Sequence, residues 1–414
     1  MNIRMSSYWK SVASVLTGTA LAQLIPIVGA LFIARLYAPN EFGIFSAWLG
    51  VVLLLGVIFT GRFETALAIE ADGEPRRLSV SCVIATAGLA ALIAFLLLGV
   101  ALLLTPSQIL RFPAFLVVGA IPSALAIAVA QTWQSWAAAE GAYSNLSLMR
   151  IVQAGAVTLG QAVVGLAYPS AEGLAAAHLL GVVLGLAYSA YLMPLGALPF
   201  GPSGFTAITL FWKRRRRFPM FSLPADSINT AAAQLPLLIV ASRFGADTAG
   251  LLAMTMRVLG APIGLLGKSV LDVFKRHAAT SFRERGECRG EYIRTFKVLA
   301  VGSLAFCGVM FFASELLFAK VFGEEWRGAG AIAVWLLPMF ALRFIASPLS
   351  YMVYIAGKQH VDLFWQVSLL GITIASLNAS ANYEYALQLY SVGYSVLYVI
   401  YLAMSYRFSQ GVNA

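Results

Sequence analysis

The chain has 414 residues, of which 60% are hydrophobic and 11% charged, with a mean hydropathy of +0.82. Soluble domains carry about 25% charged residues, so this composition excludes a soluble enzyme or binding module and specifies an integral membrane protein. The formal net charge of +10 would suggest nucleic acid in a soluble protein; here it reflects the Lys and Arg that gather in cytoplasmic loops, and no nucleic-acid partner is expected.

A spanning helix needs roughly 20 mainly apolar residues. In chain order the sequence predicts about twelve, at 11–36, 42–69, 79–105, 113–139, 147–168, 173–196, 219–243, 249–274, 295–318, 328–356, 361–378 and 385–406. The first is long and leads into the others, which marks it as a span rather than a cleaved signal. All are helices, because a lone segment in lipid must satisfy its own backbone hydrogen bonds. With the N-terminus inside, nineteen of the 28 basic residues fall at the inner side, five at outer ends and four within spans. That bias predicts both termini in the cytoplasm.

The run from Pro194 to Pro219, with Lys213–Arg217 near its end, divides the chain. It predicts an N-terminal six-helix lobe (1–196), a cytoplasmic basic linker (197–218) and a C-terminal six-helix lobe (219–414). The basic run reads as a topology signal, or as a site for an acidic lipid headgroup or partner. Gln23-Leu24-Ile25-Pro26, Ala34-Arg35 and Asn40-Glu41-Phe42-Gly43 find weak echoes in Gln234-Leu235-Pro236, Ser242-Arg243 and Asp247-Thr248-Ala249-Gly250. Two parallel six-span repeats would be related by a pseudo-two-fold along the membrane normal and enclose a central cleft.

Four basic side chains lie inside predicted spans and away from the span ends: Arg62, Arg257, Lys268 and Arg343. A cation there costs about 2.5–3.5 kcal/mol on insertion scales, so such groups face a partner or a wet cavity. All four are candidates for binding an anionic substrate, making the cleft cationic. Arg257 and Arg343 lie deep, whereas Arg62 and Lys268 lie near the inner leaflet and can snorkel. Glu64, Asp226 and Asp272 are candidates for ion coupling or ion pairing. Glu64 follows Arg62 by two residues, a spacing that does not share a helical face. Asp272 stands one turn after Lys268, a favourable spacing. Gly181-x-x-x-Gly185 and Gly260-x-x-x-Gly264 predict close helix packing inside the bundle. No nucleotide-binding Gly-rich loop, metal motif or catalytic cluster occurs, so no cofactor, metal or catalytic residue is expected.

Ala34-Arg35-Leu36-Tyr37-Ala38-Pro39-Asn40-Glu41-Phe42-Gly43 closes the first predicted helix, and Gly61-Arg62-Phe63-Glu64-Thr65-Ala66-Leu67-Ala68 the second. Phe218-Pro219 with Asn229 and Pro236 follow, then Phe322-Gly323-Glu324-Glu325-Trp326 with Pro338, Arg343 and Ser347-Pro348. In this order and spacing the chain resembles the Wzx-type polysaccharide flippases of the multidrug/oligosaccharidyl-lipid/polysaccharide exporter superfamily. The resemblance implies two six-helix lobes around a cationic lumen, with Arg62, Glu64 and Arg343 as cavity residues. It implies transfer of undecaprenyl-pyrophosphate-linked oligosaccharides across a bacterial inner membrane by alternating access, for lipopolysaccharide or exopolysaccharide synthesis. Expected partners are that lipid-linked substrate, membrane lipids and other polysaccharide assembly proteins. The competing readings are an exporter exchanging organic cations for protons or sodium, which would favour acids over bases in its spans, and a membrane-embedded polysaccharide polymerase, which would need a large outer loop.

Overall fold

A computed structural model describes residues 20–105, 113–195 and 202–411, and within these it contains helices and turns without a strand. The helices are α1 (Ala20–Leu36), α2 (Pro39–Thr60), α3 (Glu74–Leu104), α4 (Ala114–Ala139), α5 (Tyr143–Ala167), α6 (Ala171–Leu192), α7 (Pro202–Arg215), α8 (Leu223–Phe244), α9 (Ala246–Arg285), α10 (Arg289–Phe322), α11 (Arg327–Leu349), α12 (Met352–Ile355), α13 (Gln359–Asn378) and α14 (Tyr383–Ser409). Among the described residues, nine helical stretches are long and apolar enough to cross a membrane. Two shorter apolar helices, Ala20–Leu36 and Phe364–Asn378, and the more polar α8 occupy the remaining predicted positions. The chain is a multi-pass membrane protein. Exposed Leu96, Leu97 and Leu103 on α3 and Phe312 on α10 lie on faces that in a soluble protein would be charged and here suit acyl chains.

The helices run further than the apolar pattern. α9 has 40 residues, about 60 Å at 1.5 Å per residue and twice the hydrocarbon thickness. What the sequence predicts as a loop at 275–294 is therefore two helical ends joined by a turn at Gly286, which adopts φ 75°. α7 occupies part of the stretch predicted as a linker.

The chain forms two compact units, one of residues through Tyr37 with Ile44–Gln234, the other of Ala38–Gly43 with the residues from Leu235 onward. In the first, α5 and α6 pack closely because α6 presents glycines. A Cβ on Gly181 would lie 2.5 Å from Val157 Cα, and one on Gly185 2.7 Å from Gln153 Cβ. The predicted close packing thus forms within the bundle; at Gly260 the nearest neighbour is Phe340, 4.0 Å away in ordinary contact. Tyr37 closes α1 against α5, its hydroxyl donating to the Gln161 carbonyl at 2.8 Å. Ser170 caps α6 by accepting from the Gly173 N–H at 3.0 Å, one of the donors a helix start leaves open.

In the second unit, short polar side chains join helices through backbone carbonyls. Thr255 donates to Ala329 O (2.7 Å), Ser303 to Ala341 O (3.1 Å), Ser314 to Gly330 O (3.0 Å) and the Tyr292 hydroxyl to Leu402 O (2.9 Å). The segment Ala38–Gly43 belongs here because it lies on the start of α9. Asn40 Nδ2 donates to Asp247 Oδ2 at 3.1 Å, and a Cβ on Gly43 would collide with the Ala246 carbonyl oxygen, as one on Gly250 would with that of Pro39. The two echoing segments, Asn40–Gly43 and Asp247–Gly250, therefore touch backbone to backbone. Phe42 packs edge-on against buried Trp326 at 5.7 Å.

Candidate functional site

Arg62 stands at a break in the second predicted span. α2 ends at Thr60, Gly61 and Arg62 both take positive φ (57° and 59°), and the chain resumes as a 3-10 helix over Phe63–Ile69. Glycine adopts the left-handed region freely; arginine does so at a cost of about 1–2 kcal/mol. Local bonds hold it there: the Arg62 N–H donates to Thr60 Oγ1 at 3.3 Å, and Thr65 Oγ1 donates to the Arg62 carbonyl at 2.6 Å.

This break explains how Arg62 meets Glu64, a candidate for ion pairing, although their spacing shares no helical face. On a regular helix they would diverge; across a left-handed residue, Arg62 Nη1 donates to Glu64 Oε1 at 2.8 Å. Arg62 Nε also lies 2.6 Å from Asp226 Oδ2, an ion pair without aligned hydrogen-bond geometry. Asp226 reaches it from the first turn of α8, after a π-helical turn over Phe218–Ser222 that contains Pro219. The side chain of Glu64 is 3% exposed, that of Arg62 24% and that of Asp226 37%. Glu64 Oε2 is buried without a hydrogen-bond partner among the described residues. One cation thus holds two carboxylates, one sealed in and one open.

Arg343 has a different environment. It is exposed on α11, with no hydrogen bond or acidic partner among the described residues. Its guanidinium sits 5.9 Å from the Phe340 ring centroid, and α11 packs against α14, which carries Tyr390 and Tyr398. These belong to a stripe on α14 that the sequence reading missed. Tyr390 and Tyr394 have centroids 4.5 Å apart, Tyr394 and Tyr398 6.2 Å, and Trp365 lies 4.6 Å from Tyr401. The i, i+4 recurrence of Tyr390, Tyr394 and Tyr398 was legible as one helical face, but tyrosines in an apolar span read as core. The stripe is buried.

Arg257 is half-buried on α9 in the second unit. The side chains of Lys268 and Asp272 lie outside the described residues; their backbone is part of α9. The structure therefore brings together Arg62, Glu64 and Asp226 in the first unit, whereas Arg257 and Arg343 belong to the second.

A further basic residue escaped the sequence reading. Arg150, at the inner end of the predicted span 147–168 and counted with the inner-side bases, lies within α5, which begins at Tyr143. Its Nε donates to Gln134 Oε1 at 3.3 Å, and Gln134 Nε2 donates to Gln153 Oε1 at 3.0 Å. Nearby in sequence to the Arg62 break, Arg76 is buried and donates to the carbonyls of Leu67 (3.1 Å) and Glu70 (2.8 Å), with Asp72 and Glu140 at 2.6 and 3.3 Å. It fastens the end of the 3-10 helix to α3.

A sequence profile of the family described as "Polysaccharide biosynthesis protein" matches residues 32–331. Over 165 residues the chain is 22% identical to the teichuronic acid biosynthesis protein TuaB of Bacillus subtilis (strain 168), covering 40% of this chain and 34% of that protein. The match thus spans about a third of that relative's length. Among solved structures, the lipid II flippase MurJ in an inward closed conformation is similar with a TM-score of 0.70 and 14% identity, over 95% of this chain and 87% of that one. An inward-facing multidrug resistance MATE family transporter of the MOP superfamily gives 0.66 and 14%, over 95% and 94%. At these identities the likeness shows a shared fold.

Proposed function

The chain belongs to the polysaccharide biosynthesis protein family, and from that premise we propose that it flips undecaprenyl-pyrophosphate-linked oligosaccharide repeat units from the cytoplasmic to the periplasmic leaflet of a bacterial inner membrane. Both termini are cytoplasmic in this reading, and the product feeds lipopolysaccharide or exopolysaccharide synthesis alongside other assembly proteins. The functional halves are 1–196 and 219–414, joined by 197–218. No covalent bond is made or broken. The difficulty is electrostatic: a pyrophosphate carries about two negative charges, and moving them unaided through hydrocarbon is prohibitive.

The observation that carries the proposal is Arg343, an exposed intramembrane guanidinium without an acid among the described residues. A cation kept in a membrane helix without a counter-ion is poised for an anion brought by a ligand, and a guanidinium can meet a phosphate through two parallel hydrogen bonds. Arg257 and Lys268 join it as substrate-binding residues. Arg62 is the fourth and works by exchange: phosphate competes with Asp226, the more exposed of its two acids. Protonating Asp226 or Glu64 would loosen their hold on Arg62, which gives ion coupling a chemical route; Asp272 is a further candidate. Alternating exposure of these residues to the two leaflets completes the cycle.

The test is reconstitution into vesicles with a labelled lipid-pyrophosphate oligosaccharide, measuring its arrival in the opposite leaflet. The wild-type chain is expected to accelerate arrival and Arg343→Gln to abolish most of the gain at equal protein level. Transport of a cationic dye without transport of the lipid would replace this reading with a multidrug exporter.

A further inference from the structure

The basic run at 213–217 is more organised than a topology signal needs. It forms the end of α7 and the turn that follows, and α7 is fastened to the first unit at three points. Phe211 is buried against Phe63 with centroids 5.2 Å apart. Trp212 Nε1 donates to Thr86 Oγ1 at 2.8 Å. Glu70, buried at 3% side-chain exposure, takes Arg214 Nη2 at 3.1 Å and Arg215 Nε at 2.7 Å. Two of the five bases are therefore committed to a buried acid. Lys213, Arg216 and Arg217 are exposed, and their side chains make no hydrogen bond or ion pair among the described residues.

The five bases border a cavity of about 700 Å³ completed by Ile69, Phe218, Phe221 and Ser222. Ile69, Met220 and Phe221 are exposed, so its neighbourhood is apolar although its lining is cationic. Charge at one side and exposed hydrocarbon at the other match a molecule with a phosphate head and acyl tails. A loop that only set orientation would need neither the buried Glu70 anchor nor a cavity. We propose that this cavity is a binding site for the headgroup of an anionic phospholipid from the surrounding inner leaflet, with Lys213, Arg216 and Arg217 as the phosphate-binding groups and Arg214 and Arg215 as positioning residues fixed by Glu70. The assignment does not depend on what the protein transports.

The purified full-length chain, titrated with phosphatidylglycerol or phosphatidylcholine and read by native mass spectrometry, tests it. The Lys213→Gln/Arg216→Gln/Arg217→Gln protein is expected to bind its most tightly retained phosphatidylglycerol about tenfold more weakly or worse, three lost charges each contributing near the membrane surface, with phosphatidylcholine binding unchanged. The charge-preserving Lys213→Arg/Arg216→Lys/Arg217→Lys protein is expected to retain the lipid, which separates loss of charge from loss of fold. Equal phosphatidylglycerol affinity in wild-type and glutamine proteins would overturn the proposal. So would displacement of the retained lipid by equimolar undecaprenyl pyrophosphate, which would give the cavity to a transported species instead.

Discussion

Arg62 and Arg343 are both guanidinium groups in membrane helices, and they answer the same energetic problem differently. Arg62 is neutralised at home by Glu64 at 2.8 Å and Asp226 at 2.6 Å. Arg343 is exposed, with aromatic neighbours and no acid among the described residues. A cation with its own counter-ions stabilises the fold and yields to a ligand only by exchange; one without them adds little to the fold and is free to meet an anion. Two residues of identical chemistry are therefore expected to fail in different assays.

The largest effect should come from Arg62→Gln. It would leave Glu64 buried without its cation, and breaking a buried pair from one side costs about 3–5 kcal/mol. The partial exposure of Arg62 places the expectation near the lower end. The measurement is the unfolding midpoint in detergent, together with the protein level in membranes. Arg62→Gln at wild-type stability would dissolve the contrast between the two arginines.

Arg343→Gln should do the reverse. Lipid transport is expected to fall about tenfold or more, the loss of one charge-assisted contact worth about 1.5–3 kcal/mol. The unfolding midpoint should stay within a degree or two of wild type, as is usual for exposed positions (about ±0.5 kcal/mol). A large drop in midpoint would mean that the tyrosine stripe depends on Arg343, and the site reading would fail.

The difference between these residues was only partly legible in the sequence. The twelve span positions were, because length and hydropathy decide which segments can cross a bilayer. The Arg62–Glu64 pair was not. On a helix residues two apart diverge, and only the left-handed pair Gly61–Arg62 turns them together; Gly61 was the visible hint. Asp226 was identified as an acid that could pair with an arginine, but its partner sits 164 positions earlier, a tertiary fact without local signature. α7 hid because a helix ending in Lys213, Arg214 and Arg215 has the composition of a solvated loop. The Arg343 environment hid because tyrosine in an apolar span is indistinguishable from core until the facing helix is known.

Within the Arg62 cluster, the two acids should separate. Asp226→Asn removes the acid that is 37% exposed, where water can replace the lost partner, and the cost should be about 1 kcal/mol or less. Glu64→Gln acts at a buried position and leaves Asp226 to balance Arg62, so its cost should exceed that of Asp226→Asn in the same melting assay. Equal effects would show that the two carboxylates are interchangeable and that exchange at Asp226 is not the easier route to Arg62.

The finest distinction lies in the backbone. Arg62 holds φ 59°, where glycine is unstrained and alanine is not. Arg62→Gly and Arg62→Ala remove the same ion pairs, so their difference isolates the conformational cost, expected at about 1 kcal/mol in favour of glycine. The sign matters more than the size. Against it works the extra freedom glycine brings to the unfolded chain, about 0.4–1 kcal/mol, so a measured advantage for glycine would mean that the strain at position 62 exceeds that entropy. Strain of that size would be sustained in the wild-type chain by Glu64, Asp226 and the Thr60 and Thr65 hydrogen bonds, and a phosphate that drew Arg62 away from its acids would also weaken the hold on the break between α2 and the 3-10 helix. Alanine equal to or better than glycine would separate the ion pairs from the backbone conformation and leave Arg62 a counter-ion without a hinge.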